Sequence, residues 1–222
     1  MKQKIILKSL LLSAVAAAGL ATSAFAGGDE PNTPAVAAPV APPVELTTGL
    51  LGQAYAGLTY SYLHLDASPI DADSYGFEYN QPIKPGFDAV FNYDWVQSEP
   101  FAGERVREQQ LSATLRAIFA PGGWGRPYVE AGAGYDWLKF AGSKDHSFLW
   151  IAGAGIEFQT FSQLTVTPFV RYDRATGYDD ADEVSYGVKA NYWINRQWAL
   201  TGAVSRNDDK DMTYKVGVNV SF

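Results

Sequence analysis

The chain has 222 residues, a formal net charge of -7 and a pI near 4.8, with no cysteine and only two histidines. The missing cysteines exclude disulfides, thiolate nucleophiles, zinc fingers and iron–sulfur sites, and the acidic charge argues against nucleic-acid binding. Two histidines, His64 and His146, disfavour a multi-histidine metal centre. The composition leaves one feature to explain: 14% of the residues are aromatic, although the mean hydropathy is only -0.13.

Residues 1–26 have the pattern of a secretory signal peptide. Three lysines within the first eight residues precede the apolar run 10–20, and Ala24-Phe25-Ala26 supplies the small-x-small pattern of a cleavage site. The apolar run is shorter than the roughly 18–20 residues of a membrane helix, which favours cleavage over an anchor. Cleavage leaves 14 basic and 24 acidic residues, a net charge of -10, and predicts export from the cytoplasm.

Residues 27–48 form a segment rich in proline and alanine, with five of the twelve prolines of the chain. Such a composition does not bury enough apolar surface to fold, and proline favours extended polyproline II. The segment is therefore predicted to be a semi-rigid periplasmic spacer before a domain at 49–222. The alternative is a ligand for a cell-wall or periplasmic partner.

From residue 52 onward, apolar and polar residues alternate with the period of two that is typical of β-strands. The last segment shows this most clearly, because Met212, Tyr214, Val216, Val218, Val220 and Phe222 all fall on one face. Nine further segments alternate in the same way: 53–63, 74–81, 87–95, 111–119, 129–137, 148–159, 164–173, 185–194 and 198–205. The sequence therefore predicts ten strands.

The apolar faces of these strands are predicted to face lipid rather than a protein core. The opposite faces carry glycine and isolated charges of both signs, which suits a packed lumen better than the solvated surface of a sandwich or a lipocalin-like barrel. Aromatic residues lie toward the ends of the apolar faces, as in the two interfacial girdles of membrane barrels. Because backbone groups in lipid must all be paired, the prediction is an all-β, antiparallel up-and-down transmembrane β-barrel of ten strands.

The connections between the strands predict how the barrel is oriented. Long polar connections are expected at 66–73, 97–108, 141–145, 175–183 and 207–211, and the intervening ones are expected to be tight. Alternating long and short connections are typical of external loops and periplasmic turns. The spacer and Phe222 are therefore expected on the periplasmic side.

The chain resembles small Gram-negative outer-membrane β-barrel proteins, the group that includes the OmpA-like transmembrane domain and opacity-type proteins of the porin family. The residues that carry the resemblance are Ala24-Phe25-Ala26, the strand 126–135 and the C-terminal alternation that ends in Phe222. The resemblance implies that the barrel-assembly machinery recognises Phe222. It also implies location in the outer membrane, and it gives eight strands as the alternative count, since members of that group usually have eight.

Charged residues on the inward faces are the main candidates for function. The acidic members are Glu78, Asp88, Asp94, Glu130, Asp136, Glu157 and Asp173, and the basic members are Arg116, Arg171, Lys189 and Lys215. In a narrow lumen these groups must pair or be hydrated. We expect a salt-bridge network that fills the lumen of a barrel with a structural or surface-interaction role. The alternative is a small-solute channel that prefers cations, because the acids outnumber the bases.

The external loops carry acidic clusters at 179–183 and 208–211, which are expected to be solvated rather than to bind a metal. Basic residues near the rim are expected to contact lipopolysaccharide phosphates; they are Lys144, Arg105, Arg107 and Arg206. The partners expected are therefore outer-membrane lipid and lipopolysaccharide. The loops are also candidates for binding a host or cell-surface ligand.

An enzyme would have to use one of the two histidines. His64 with Asp66, or His146 with Asp145, could activate water as in the omptin-type surface proteases, but only two residues match in each case. A lipid A deacylase needs a histidine near the C-terminus, and none follows His146. No enzymatic activity, catalytic residue, cofactor or metal is therefore predicted.

Overall fold

A computed structural model describes residues 49–66, 70–100, 103–119, 125–177 and 181–222. The predicted signal peptide and spacer lie outside the described residues. Among those residues, no helix is long and apolar enough to cross a membrane.

Ten antiparallel strands close into a barrel in which each strand pairs with the next along the chain and β10 pairs with β1. The strands are β1 Tyr55–His64, β2 Ala72–Lys84, β3 Phe87–Ser98, β4 Arg107–Ile118, β5 Arg126–Phe140, β6 Ser143–Phe161, β7 Leu164–Gly177, β8 Ala181–Trp193, β9 Trp198–Asn207 and β10 Met212–Ser221. The predicted all-β barrel of ten strands is confirmed, and the alternative of eight strands is wrong.

Both ends of the described chain lie at the same end of the barrel because the strand number is even. Tyr55 pairs with Ser221 and His64 with Met212, and the Phe222 N–H donates to the Ala54 carbonyl oxygen at 3.2 Å. We call this the terminal end of the barrel, and we call the opposite end, where β1 leads into β2, the far end.

The alternation of the sequence places apolar side chains outside and polar side chains inside. On the outer surface, Leu58 is 62% exposed and Val216 is 59% exposed. In the lumen, Asn80, Ser185 and Thr165 are almost completely buried. This distribution is the inverse of that in a water-soluble protein, and the lumen is the place where polar side chains are brought together.

One predicted long connection is wrong. The segment 141–145 is a tight turn of Ala141 and Gly142, after which β6 begins at Ser143. Both turn residues have positive φ, 48° and 82°, as in the primed turns that match the twist of a two-residue β-hairpin. The polar residues that suggested a loop, Ser143, Lys144 and Asp145, belong to β6, which with 19 residues is the longest strand.

The difference between long and short connections is also weaker than expected. At the terminal end, the connection between β4 and β5 runs from 119 to 125, comparable with 65–71 between β1 and β2 at the far end. Between β7 and β8, the connection is also shorter than predicted, because β7 continues to Gly177 and β8 begins at Ala181. The barrel is therefore extended at the far end mainly by longer strands rather than by longer loops.

Candidate functional site: the barrel lumen

All eleven charged residues that were predicted to face inward do so, because alternation is maintained along the strands except at the register shifts before Lys84 and Phe161. Asp88, Asp136 and Glu157 are almost fully buried in the lumen. Seven others line the central cavity, and Asp173 pairs with one of these. The inward set also includes Arg126, Glu108 and Glu183, which the sequence pattern assigned to connections. Continuing the alternation past the predicted ends of β4, β5 and β8 would have found them.

Three ion pairs lie in the middle of the lumen, and two of them join different strands. The Arg116 guanidinium donates twice to Glu130 Oε2, at 2.8 and 3.0 Å, and stacks over the Tyr128 ring at 4.9 Å. Lys189 Nζ lies 3.3 Å from Glu78 Oε1. These pairs join side chains from different strands, so they cross-link the inside of the barrel.

The third pair lies within a single strand. Arg171 and Asp173 are two residues apart on β7 and therefore share the inward face. The guanidinium makes two parallel hydrogen bonds of 2.7 Å to the two carboxylate oxygens, the bidentate geometry that arginine favours.

A fourth ion pair, Arg126 with Glu157, holds residues from outside the strands in the lumen at the terminal end. The Leu50 N–H donates to Glu157 Oε2 at 3.0 Å, and Arg126 Nη1 donates to the Leu51 carbonyl oxygen at 2.8 Å. We call residues 49–53 the plug segment. The ion pair binds it through both a backbone donor and a backbone acceptor.

Two further lumen side chains bind the plug segment. The Gly52 N–H donates to Asp88 Oδ2 at 2.8 Å, and Asn80 Nδ2 donates to the Gln53 carbonyl oxygen at 2.7 Å. Asp88 and Asn80 are buried and also hydrogen-bond to each other at 3.2 Å. Polar groups buried in this way need partners, and the backbone of the plug segment supplies one to each of these two side chains.

Apolar contacts complete the seal at the terminal end. Leu50 packs in a buried cluster with Tyr55, Trp193 and Ala199, and Leu51 is 4% exposed. Above the plug segment lies a cavity of about 150 Å³, lined by the charged pairs of the middle of the lumen. It is large enough to hold several water molecules.

At the far end, the connections fold inward and form an apolar cluster over the lumen. Leu65, Ile70, Val106 and Leu138 are all 5% exposed or less and pack together, with Phe140 beside them. The Val106 N–H donates to Ser98 Oγ at 3.0 Å, and the Asp66 N–H donates to Asp211 Oδ1 at 2.8 Å. The lumen therefore has buried apolar groups at both ends.

Aromatic rings lie on the outer surface near both ends of the barrel. Toward the far end, the Tyr75 ring lies 5.6 Å from that of Tyr60 and 5.7 Å from that of Trp95. Toward the terminal end, Tyr79 stacks on Phe222 at 6.1 Å. Rings of this kind, with one apolar and one polar edge, suit the two interfaces of a membrane.

The two histidines lie on opposite sides of the barrel, on β1 and β6, and both face outward. His64 Nδ1 contacts Asp71 Oδ1 at 3.0 Å rather than the carboxylate of Asp66. His146 stacks on Tyr135 at 5.7 Å, and Asp145 occupies the alternate, inward position of the strand. The structure thus forms neither predicted His–Asp pair, nor does it bring the histidines together.

Two carboxyl groups in the far-end connections, those of Asp71 and Asp209, have pKa values shifted in opposite directions. Although partial burial opposes ionisation, hydrogen bonds from Tyr62, His64 and the Leu65 backbone lower the pKa of Asp71. Burial and the neighbouring Asp208 and Asp211 raise the pKa of Asp209.

The acidic cluster at 179–183 lies partly outside the described residues. Asp179 and Asp180 belong to the undescribed part, whereas the Glu183 side chain is buried in the lumen. The described part of the chain holds no group of histidines and carboxylates arranged to bind a metal.

No protein-family model matches the chain, and no curated protein is significantly similar to it in sequence. Among solved structures, it is similar to the translocator domain of the autotransporter NalP from Neisseria meningitidis, with 11% identity, 77% of this chain and 88% of that chain covered, and a TM-score of 0.47. The NanC porin gives 11% identity, 75% and 100% coverage, and a TM-score of 0.48. The N-terminal β-barrel domain of OprF from Pseudomonas aeruginosa gives 13% identity, 77% and 99% coverage, and a TM-score of 0.39.

This likeness concerns the fold alone. The resemblance to outer-membrane β-barrels that the sequence indicated is confirmed at that level, since the ten strands close into a barrel of the predicted topology. The OmpA-like or opacity-type group stays a prediction.

Proposed function

We propose that the protein is an integral outer-membrane β-barrel with a closed lumen, which stabilises the membrane and displays its loops at the cell surface. The observation that carries this proposal is the combination of an exposed apolar outer surface with a lumen that is bridged by ion pairs. Export by the predicted signal peptide and orientation with the terminal end in the periplasm are part of the proposal.

An outer surface with exposed apolar side chains all around the barrel favours lipid as the surrounding solvent. Soluble monomers rarely expose apolar patches larger than a few hundred Å², whereas here the outward residues of every strand are largely apolar. In lipid, each backbone N–H and C=O must be bonded within the protein, and a closed barrel meets this requirement because it has no free edge.

Three features of the lumen support closure. The plug segment fills the terminal end, the ion pairs Arg116–Glu130 and Lys189–Glu78 bridge strands in the middle, and the apolar cluster around Leu138 covers the far end. A charge buried in a narrow lumen is costly without a partner, so these pairs resist separation by a passing solute.

Partners follow from the surfaces. We propose that outer-membrane lipid and lipopolysaccharide contact the outer surface and its rim. The barrel-assembly machinery would recognise the C-terminal strand through Phe222, and the far-end loops would meet any host or cell-surface ligand. Phe222 suits this role because it is 69% exposed at the end of an outward apolar row.

A small-solute channel is the second candidate, and the cavity of about 150 Å³ favours it. Asp94 and Lys215 line this cavity, and neither forms an ion pair with another described residue. A channel of this kind would require the plug segment and the far-end apolar cluster to move.

Planar-bilayer conductance separates the two candidates. The purified full chain is reconstituted, and insertion is verified by the slower migration of the unheated barrel in electrophoresis. We expect membranes that contain inserted protein to show no steady open steps. Steady ohmic steps from inserted protein would contradict a closed lumen and favour the channel, whereas failure to insert would contradict the membrane barrel itself.

A further inference from the structure

We propose that three basic residues at the far end form a site on the outer surface for the phosphate group of a membrane lipid. Arg107 on β4 pairs in register with Lys139 on β5, and Lys139 pairs with Lys144 on β6. The three side chains therefore lie side by side across three neighbouring strands, and we call them the basic row. The inference rests on the proposed membrane location and names a ligand class for one part of that surface.

The basic row is exposed, and its charge is not neutralised by the described residues. No ion pair joins Arg107, Lys139 or Lys144 to a carboxylate within the part of the chain that the structure describes. Acidic residues do occur on the same strands, but Glu108 and Asp136 face the lumen and are buried there. The alternation of the strands thus separates bases outside from acids inside.

The arrangement costs energy in the absence of an anion. Directly paired residues of antiparallel strands have Cα atoms about 4.5–5.5 Å apart, and like charges placed opposite each other are destabilising. Lys139 and Lys144 are such a pair, and Arg107 extends the repulsion to the next strand. A phosphate group bound between these side chains would replace repulsion with charge-assisted hydrogen bonds.

The outer surface between the basic row and the middle of the barrel indicates that the ligand is a lipid rather than a free anion. Trp137 and His146, which pair with each other, lie two residues closer to the middle of the barrel, about 7 Å along the strand. The Tyr135 ring lies 4.8 Å from that of Trp137 and 5.7 Å from that of His146. Such rings mark the membrane interface, so the basic row lies at the level of headgroup phosphates, with an apolar surface beneath it for acyl chains.

The structure also separates this site from other basic residues near the rim. Arg206 lies on β9, paired with Met212 and Tyr186, on a different part of the barrel. Arg105 lies in the connection between β3 and β4. Neither belongs to the basic row, whereas Lys139, which the sequence did not single out as a rim residue, stands at its centre.

Lipid binding to the detergent-solubilised full chain tests the proposal by native mass spectrometry. The probes are lipid A with two phosphates and the same glycolipid after removal of both phosphates. The test variant is R107Q/K139Q/K144Q. The control variant, K84Q/R174Q/R196Q, removes the same charge from exposed positions elsewhere on the barrel.

We expect the wild type and the control variant to bind the diphosphorylated lipid equally well, and the test variant to bind it roughly a hundredfold more weakly, as three basic residues at an anionic lipid surface imply. The phosphate-free lipid should bind all three proteins weakly. Equal loss in the two variants would overturn the site, because general charge would then explain the binding. Binding of lipid that excess inorganic phosphate abolishes would show a free-anion site and overturn the lipid assignment.

The failure of this inference is distinguishable from failure of the proposed function. Insertion of each variant into phosphatidylcholine vesicles is measured separately, by protection of the strands from protease. Inserted protein without phosphate-dependent lipid binding would contradict only the basic-row site. Protein that does not insert at all would contradict the membrane barrel.

Discussion

At the residue scale, the Arg126–Glu157 pair shows how buried charges are stabilised by each other and by hydrogen bonds to the backbone. Arg126 and Glu157 are 17% and 4% exposed at their side chains, and each also binds backbone of the plug segment. Glycine at position 49 fits the same contact, because a methyl group there would clash with the Arg126 guanidinium. The pair therefore neutralises itself and also positions a segment outside the strands.

We expect Arg126→Met to lower the free energy of unfolding by about 3 kcal/mol or more, because it leaves the Glu157 carboxylate buried without its partner. The double variant R126M/E157Q removes both charges and should recover part of this loss. Urea unfolding of the refolded barrel in detergent measures each value.

The matched control for this prediction is Arg196→Met. Arg196 is an exposed arginine at the same end of the barrel, in the connection between β8 and β9. Substitutions at such positions usually change stability by about 0.5 kcal/mol or less. Equal losses in the two single variants would show that the Arg126–Glu157 pair contributes nothing specific.

At the element scale, the C-terminal strand combines two roles. β10 closes the barrel by pairing with β1 along ten residue pairs, from Tyr55 with Ser221 to His64 with Met212. Its outward row ends in Phe222 at the terminal end. Before closure this strand has no partner on the β1 side, so it is the element that an assembly factor can reach.

We expect Phe222→Ala to reduce severalfold the fraction of protein assembled in the cell envelope, while leaving the stability of the refolded barrel within about 1 kcal/mol. Phe161→Ala is the control, because Phe161 is 67% exposed at the same end, against 69% for Phe222. Both variants lose a similar lipid contact. If both assembled equally well, recognition through Phe222 would be wrong. Electrophoresis of unheated envelopes measures the folded fraction.

At the scale of the whole molecule, closure of the lumen depends on parts of the chain that are far apart. The plug segment is bound by Asn80, Asp88, Arg126 and Glu157, which come from four strands. The far-end cluster combines two connections and β5. No single hairpin forms either seal, because each one needs the barrel to be closed.

We expect deletion of residues 49–52 to open the cavity to solvent from the terminal end. Thr201 lines this cavity and is 7% exposed, and the chain has no cysteine of its own. Thr201→Cys should therefore react with a polar maleimide much faster in the deleted chain than in the intact chain. Ser143→Cys, in the exposed hairpin at the far end, should react rapidly in both. Equal rates at position 201 would contradict a seal by the plug segment.

The strand pattern could be predicted because it depends on nearest neighbours in sequence. In β10, alternation from Met212 to Phe222 assigns each side chain to a face without any tertiary information. The same rule placed Glu78, Arg171 and Lys189 inward. It failed at Arg126 and Glu183, which lie at strand ends, where pairing with the neighbouring strand rather than local pattern decides how far a strand continues.

The sequence by itself determined the number of strands, their faces and the inverse placement of apolar and charged residues, since these follow from a period of two. Only the tertiary structure decided which charges meet. The pairing of Lys189 with Glu78, the plug segment held by Glu157, and the alignment of Arg107, Lys139 and Lys144 all depend on register and closure of the barrel. These relations join residues that are far apart in the chain, and no local periodicity encodes them.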